Sequence, residues 1–162
     1  MAKILYGIAG EGMGHAIRSK VVIEHLLKKH NLIIVSSRKP YKFLKEHFKN
    51  VYDIHGPYIS YKNNKVQSLK TLFGNAYKLP KGSYYSFKKL GMIIKNSKPD
   101  LVISDFEPFT SLVSKFFGIP SISIDNMHIM TNCKLKISKR YYKDYVAAKL
   151  IISSFIIKAD YY

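Results

Sequence analysis

Residues 3–19, "KILYGIAGEGMGHAIRS", decide how the rest of this chain is read. After Lys3 the next six, residues 4–9, are apolar or β-forming, the pattern of a strand buried on both faces. Three glycines follow at alternate positions, Gly10, Gly12 and Gly14. Glycines between a strand and a helix let the backbone turn tightly or come close to another group. His15 and Arg18 then stand at the start of a helical pattern in residues 14–30, in which Ala16, Val21, Ile23, Leu26 and Leu27 form an apolar stripe.

Strand-like and helix-like segments alternate from there to the end. Residues 31–37 read as a second strand, 40–48 as a short helix opened by Pro40, and 50–56 as a weaker third strand. Residues 83–98 read as a helix weakened by Gly91. A fourth strand covers 99–106, and a helix covers 107–118, with Pro108 in its first turn and Gly118 as its stop. Residues 119–126 form a fifth strand, and 138–159 a long final helix with Tyr141, Tyr145, Ala148, Ile152 and Phe155 as a packing stripe. This order predicts an α/β fold, a Rossmann-like parallel sheet with helices on both faces, as a single domain over residues 1–162. Residues of about 56–85 mix Gly, Pro, Asn, Lys and Tyr and read as an irregular functional insertion.

The chain has 162 residues, 47% of them hydrophobic, enough for a real core and against disorder. One cysteine, Cys133, permits no internal disulfide, and no Cys/His cluster has metal spacing, so a reducing cytoplasm and no metal are expected. No signal peptide is evident, and no stretch reaches the roughly 18 apolar residues that span a bilayer. The net charge of +17 favours anionic partners. Solvated surface lysines are the alternative reading of the same number.

In open α/β sheets, ligands bind beyond the carboxyl ends of the strands. Three segments fall there: "GEGMGH" (10–15), "SDFEP" (104–108) and "SIDNMH" (123–128). They bring His15, Asp105, Glu107, Asp125, Asn126 and His128 to one rim. A dinucleotide fingerprint needs G-x-G-x-x-G and a distant carboxylate; here the spacing is G-x-G-x-G and the second strand ends in "SSRK". Ser37 and Arg38 would suit a 2′-phosphate instead, which leaves an NADP-binding reductase open. A Walker loop is excluded, because the spacing is wrong and His15 stands where its lysine belongs. A third reading centres on the histidine. The positive end of a helix favours neutral imidazole, the form a general base needs, and Asp105 is the natural carboxylate to orient it. The opposing reading is a core-satisfied His15 beside glycines that only turn the chain.

At "GIAGEGMGHAIRS", "PDLVISDFEPF" and "IPSISIDNMH" the chain resembles the N-terminal, acceptor-side domain of GT-B glycosyltransferases, MurG-like and UDP-glycosyltransferase-like. It looks closer still to an archaeal and bacterial group of predicted glycosyltransferases with SDFEP and IDNxH segments. The resemblance implies one half of a GT-B architecture. The reaction implied is transfer of a sugar from a nucleotide-sugar, usually a UDP-sugar, to a hydroxyl acceptor, with no bound cofactor and no metal. It implies His15 as general base and Asp105 as its partner. Gly10, Gly12, Gly14 and Arg18 would contact substrate, and Glu107, Asn126 and His128 would line the cleft. The donor-binding C-terminal domain would be supplied in cis or by a separate chain, and the isolated half would be inactive. The second function considered is a non-catalytic subunit of a split glycosyltransferase that docks its partner and a membrane.

Residues 56–98 carry nine lysines and no carboxylate, interleaved with aromatics. Lys62, Lys65, Lys70, Lys78, Lys81, Tyr61 and Tyr77 are the expected membrane and acceptor patch, suited to anionic head groups and a lipid-linked acceptor. This places the protein in the cytoplasm, peripheral on the inner face of the membrane. No RNA-binding motif accompanies the lysines, so no nucleic-acid partner is expected.

Overall fold

The computed structural model describes residues 1–56, 61–62, 65–66, 68–155 and 158–162; side chains are described over the same residues except 61–80, 151, 154 and 155. The strands are β1 (Lys3–Ile8), β2 (Asn31–Ser36), β3 (Val51–Asp53), β4 (Tyr61–Lys62), β5 (Lys65–Val66), β6 (Leu101–Asp105) and β7 (Ser121–Ser123). The helices are α1 (Met13–Leu26), α2 (Arg38–His47), α3 (Ser68–Ser97), α4 (Pro108–Phe117), α5 (His128–Asn132) and α6 (Tyr142–Phe155).

Five strands form one parallel sheet in the order β3-β2-β1-β6-β7, and β4 and β5 make a separate antiparallel ladder. Each strand alternates its side chains between two cores. Ile4, Tyr6 and Ile8 pack with Ala16 and Ile23 of α1 and Leu44 of α2. Leu5, Val35 and Val102 pack on the other face with Leu90 and Ile94 of α3 and Phe109 and Val113 of α4. Helices therefore cover both faces, as expected of apolar runs without a polar side.

Local chemistry sets the ends of several elements. Gly12, at φ 76°, caps the start of α1, and Gly118 stops α4 in the left-handed conformation at φ 65°, ψ 30°. Gly7 lets α4 sit close on β1, because a Cβ there would overlap Thr110.

Four expectations need correction. The buried face of α1 is Ala16, Ser19 and Ile23, and Val21 and Leu27 are exposed, because a polar Ser19 fills a core position. Helix α3 starts at Ser68, well inside the stretch expected to be irregular. The fifth strand ends at Ser123, and Asp125 turns the chain into α5 by accepting the amides of Met127 (2.8 Å) and His128 (3.2 Å). Helix α6 begins at Tyr142, and near the C-terminus Tyr161 bridges Ile122 in parallel, with Ser123 N–H donating to Tyr161 O at 2.9 Å.

Candidate active site

The strand order reverses direction between β1 and β6. This is the switch point at which open α/β sheets leave a crevice. Ile8 and Asp105 are in register there, and Ala9 N–H donates to Asp105 O at 2.9 Å. The glycine turn then places His15 in the first turn of α1. Arg18 and Ser19 follow at i+3 and i+4, on the same helical face.

All three reach Asp105. His15 Nδ1–H donates to Asp105 Oδ1 at 2.7 Å, across 90 residues of sequence. Arg18 Nη2 pairs with the same oxygen. Ser19 O–H donates to Asp105 Oδ2 at 2.8 Å, and Tyr6 O–H lies 3.3 Å from Ser19 Oγ. The Asp105 side chain is fully buried, whereas His15 is 15% exposed and Arg18 39%. Burial alone would push the Asp105 carboxyl up. The hydrogen bond and charge of His15, with the hydrogen bonds of Arg18 and Ser19, outweigh it and hold the group below the ordinary carboxylate range. Burial pushes the Tyr6 phenol far up, against the Ser19 hydrogen bond, so Tyr6 keeps its proton.

With Nδ1 donating to Asp105, His15 Nε2 is the acceptor nitrogen, and among the described residues it makes no hydrogen bond. The arrangement is that of a base oriented by a buried carboxylate. Phe106 flanks it, its ring stacked at 6.0 Å and 13° to the imidazole. Phe106 has φ 55°, a conformation costly for a bulky side chain and concentrated at functional turns.

The three glycines differ. A Cβ on Gly10 would overlap Ser37 Oγ, so this glycine serves the packing of two loops. Gly12 holds a positive φ, and Gly14 has open space where a Cβ would stand. Ser37 is buried, and Arg38 pairs with Glu11 of the glycine loop and donates to Gly56 O at 3.2 Å. Arg38, one of the two residues suited to a 2′-phosphate, thus ties the loops after β1, β2 and β3 together, while Ser37 Oγ is buried without a hydrogen bond among the described residues.

The remaining rim residues do not join His15 and Asp105 through any contact described. Glu107 is 3% exposed and caps α4, accepting from Phe109 N (3.2 Å) and Thr110 N (2.6 Å). Burial pushes its carboxyl up, against those amide hydrogen bonds. Asn126 is exposed at the entry to α5. His128 is buried, with Nε2 2.6 Å from Ser123 Oγ and 3.0 Å from Asp125 Oδ2, and with Nδ1 lacking a hydrogen bond among the described residues. Lys81 is exposed on α3; Lys62, Lys65, Lys70, Lys78, Tyr61 and Tyr77 have side chains outside the described residues. Among the described residues, no group of three or more His, Cys, Asp or Glu could hold a metal ion, and no helix is long and apolar enough to cross a membrane.

Sequence reading missed Ser19, Tyr6, Phe106 and the Glu11–Arg38 pair. Only Ser19 left a trace: a polar residue on the buried side of an apolar helix, four places after His15.

Residues 2–162 match the glycosyl transferase family 1 model. The chain belongs to glycosyl transferase family 1. No curated protein matches it. Among solved structures, this family 1 chain is similar to the glycotransferase of kitacinnamycin (TM-score 0.57, 14% identity, 90% of this chain and 34% of that one). It is also similar to Acinetobacter baumannii MurG (0.53, 15%, 96% and 39%). A third likeness is to Phytolacca americana UGT2, solved with UDP-2-fluoro-glucose and pterostilbene (0.57, 12%, 96% and 46%). At these identities the likeness is one of fold, and it confirms the Rossmann-like α/β half of a GT-B architecture. The family 1 chain spans between a third and a half of the length of these neighbours.

Proposed function

We propose that this chain is the acceptor-side half of a glycosyltransferase that moves a sugar from a nucleotide-sugar donor to a hydroxyl acceptor, with His15 as general base. The observation that supports this most directly is the 2.7 Å hydrogen bond from His15 Nδ1 to buried Asp105, at the switch point of the sheet. His15 Nε2 takes the acceptor O–H proton. The acceptor oxygen bonds to the anomeric carbon, and the bond from that carbon to the nucleotide phosphate oxygen breaks, its electron pair leaving on the diphosphate. Asp105 stabilises the imidazolium. Gly12 and Gly14 leave room beside the base, and the N-terminus of α1 points amides toward donor phosphates. Arg18 and Asn126 contact substrate. The donor is a UDP-sugar, in keeping with the UDP-2-fluoro-glucose of one neighbour. The other half of the enzyme, in the same chain or a partner, supplies most of the donor site.

The acceptor is lipid-linked, and α3 faces an anionic membrane. Lys81, Tyr84, Tyr85, Lys88, Met92 and Lys95 are all exposed, and at 100° per residue they share one side of the helix. Leu90 and Ile94 on the opposite side are in the core. Lysines among exposed aromatics suit a head-group interface.

Sugar transfer by the chain together with its donor-binding half tests the base. His15→Ala is expected to lower kcat by about 10²–10⁴-fold with an unchanged circular dichroism spectrum; turnover within twofold of wild type refutes the assignment. Binding to vesicles rich in phosphatidylserine, lost when Lys81, Lys88 and Lys95 become Gln, tests the membrane face. Equal binding by the triple variant overturns it.

A further inference from the structure

The two buried hydroxyls behind Asp105 have no part in the mechanism so far. We propose that Ser19 and Tyr6 are positioning residues: Tyr6 O–H orients Ser19 O–H, whose proton pins Asp105 Oδ2 and so keeps Oδ1 on His15 Nδ1. The inference rests on His15 acting as the base.

The direction of the chain follows from counting protons. An ionised carboxylate only accepts, and each hydroxyl has one proton to give. Ser19 Oγ is 2.8 Å from Asp105 Oδ2, so Ser19 must donate there; turned the other way, it would set lone pairs against a buried anionic oxygen. Its proton thus committed, Ser19 is the acceptor for Tyr6, 3.3 Å away. Tyr6 and Ser19 are both fully buried, so water cannot take either role without rearrangement. Tyr6 lies on β1, Ser19 on α1 and Asp105 on β6, so the hydroxyl pair locks one carboxylate against three rigid elements. Among the described residues, Ser19 is the sole hydrogen-bond partner of Oδ2. Without it, Oδ2 is buried and unpaired, and the carboxylate rotates or shifts toward Arg18, which already holds Oδ1. The imidazole then loses its fixed tautomer and orientation, as when an outer partner of a metal-bound histidine is removed.

The test joins kinetics to a spectroscopic readout. In the complete enzyme, Ser19→Ala is expected to lower kcat by about 10–100-fold with KM within threefold, and Tyr6→Phe to lower kcat by a smaller factor. In the chain alone, proton NMR of the wild type should show a downfield Nδ1–H resonance that disappears in His15→Ala, broadens in Ser19→Ala and weakens in Tyr6→Phe. Thermal melts establish which variants fold; should Ser19→Ala not fold, Tyr6→Phe, which keeps the ring volume, carries the test. Variants that fold with a sharp wild-type resonance and wild-type kcat overturn the positioning role. Normal kcat in His15→Ala overturns the base instead, and the resonance still reports on the hydroxyl pair independently.

Discussion

Two histidines lie beside a serine and an aspartate at the same edge of the sheet, yet they are held in opposite ways. His15 meets Asp105 across 90 residues through Nδ1, which leaves Nε2 without a hydrogen bond among the described residues on a ring that is 15% exposed. His128 meets Ser123 and Asp125 within five residues. Both partners crowd its Nε2, while Nδ1 is enclosed without a hydrogen bond. A base needs one nitrogen fixed by a carboxylate and the other reachable by substrate. His15, the proposed base, has its Nδ1 fixed by Asp105 in this way, whereas His128 closes a local knot that steers the chain from β7 into α5. Residue type alone does not separate the two; the nitrogen that each carboxylate contacts does.

The sharpest way to break this comparison is to remove each imidazole in turn. The loss of about 10²–10⁴-fold in kcat belongs to His15→Ala. His128→Ala should instead cost roughly 1–3 kcal/mol of stability, seen in denaturant melts, with kcat changed less than tenfold. A collapse of kcat in His128→Ala with a native melting curve would merge the two sites.

A second measurement sharpens the electrostatic side. The Asp105 carboxyl is held below its ordinary value of 3.8, so its stabilising contribution is complete above about pH 4 and is lost as pH falls through the lowered value. The stability gap between wild type and Asp105→Asn should narrow as pH falls below about pH 4, where the buried carboxylate takes up its proton. Glu107, two residues on, has the opposite sign. Its carboxyl is raised by burial, so its contribution is present at low pH and lost as pH rises above the ordinary 4.5. Glu107→Gln should therefore gain on wild type as pH rises through that range. Urea melts across pH 3–8 read both gaps, and parallel curves would sink the assignment.

The smallest effects separate the glycines. Gly10→Ala forces a methyl against Ser37 and should destabilise by about 1–3 kcal/mol. Gly14→Ala enters open space in the first turn of α1 and should be neutral or stabilise by up to about 1 kcal/mol. Equal melting temperatures would show that both glycines serve only as turns.

Much of this was legible before any coordinates. All five strands of the main sheet were located because each is buried or bounded by Gly, Pro or Asn, although β3 and β7 are shorter than their sequence patterns suggest. Gly118 and Pro108 marked the ends of α4 through their own backbone preferences. His15 and Asp105 stood out by type, and the resemblance paired them. Other features were hidden for definite reasons. Ser19 and Tyr6 are common residues whose partners lie 86 and 13 positions away. Gly10 looked like part of a ligand cradle, but the residue it makes room for is Ser37. Glu107 sat in a conspicuous motif, and its carboxylate caps the helix that follows.

The sequence by itself determined the alternation of strands and helices, the glycine turn after the first strand, and the histidine placed at a helix start. These follow from local backbone preference and hydrophobic period, which act over a few residues. Only the tertiary structure decided that β6 lies next to β1, and hence that Asp105 reaches His15. It also decided which nitrogen of each histidine meets a carboxylate. Those outcomes depend on strand order and helix packing, where segments distant in sequence share one buried oxygen, and no local pattern encodes that meeting.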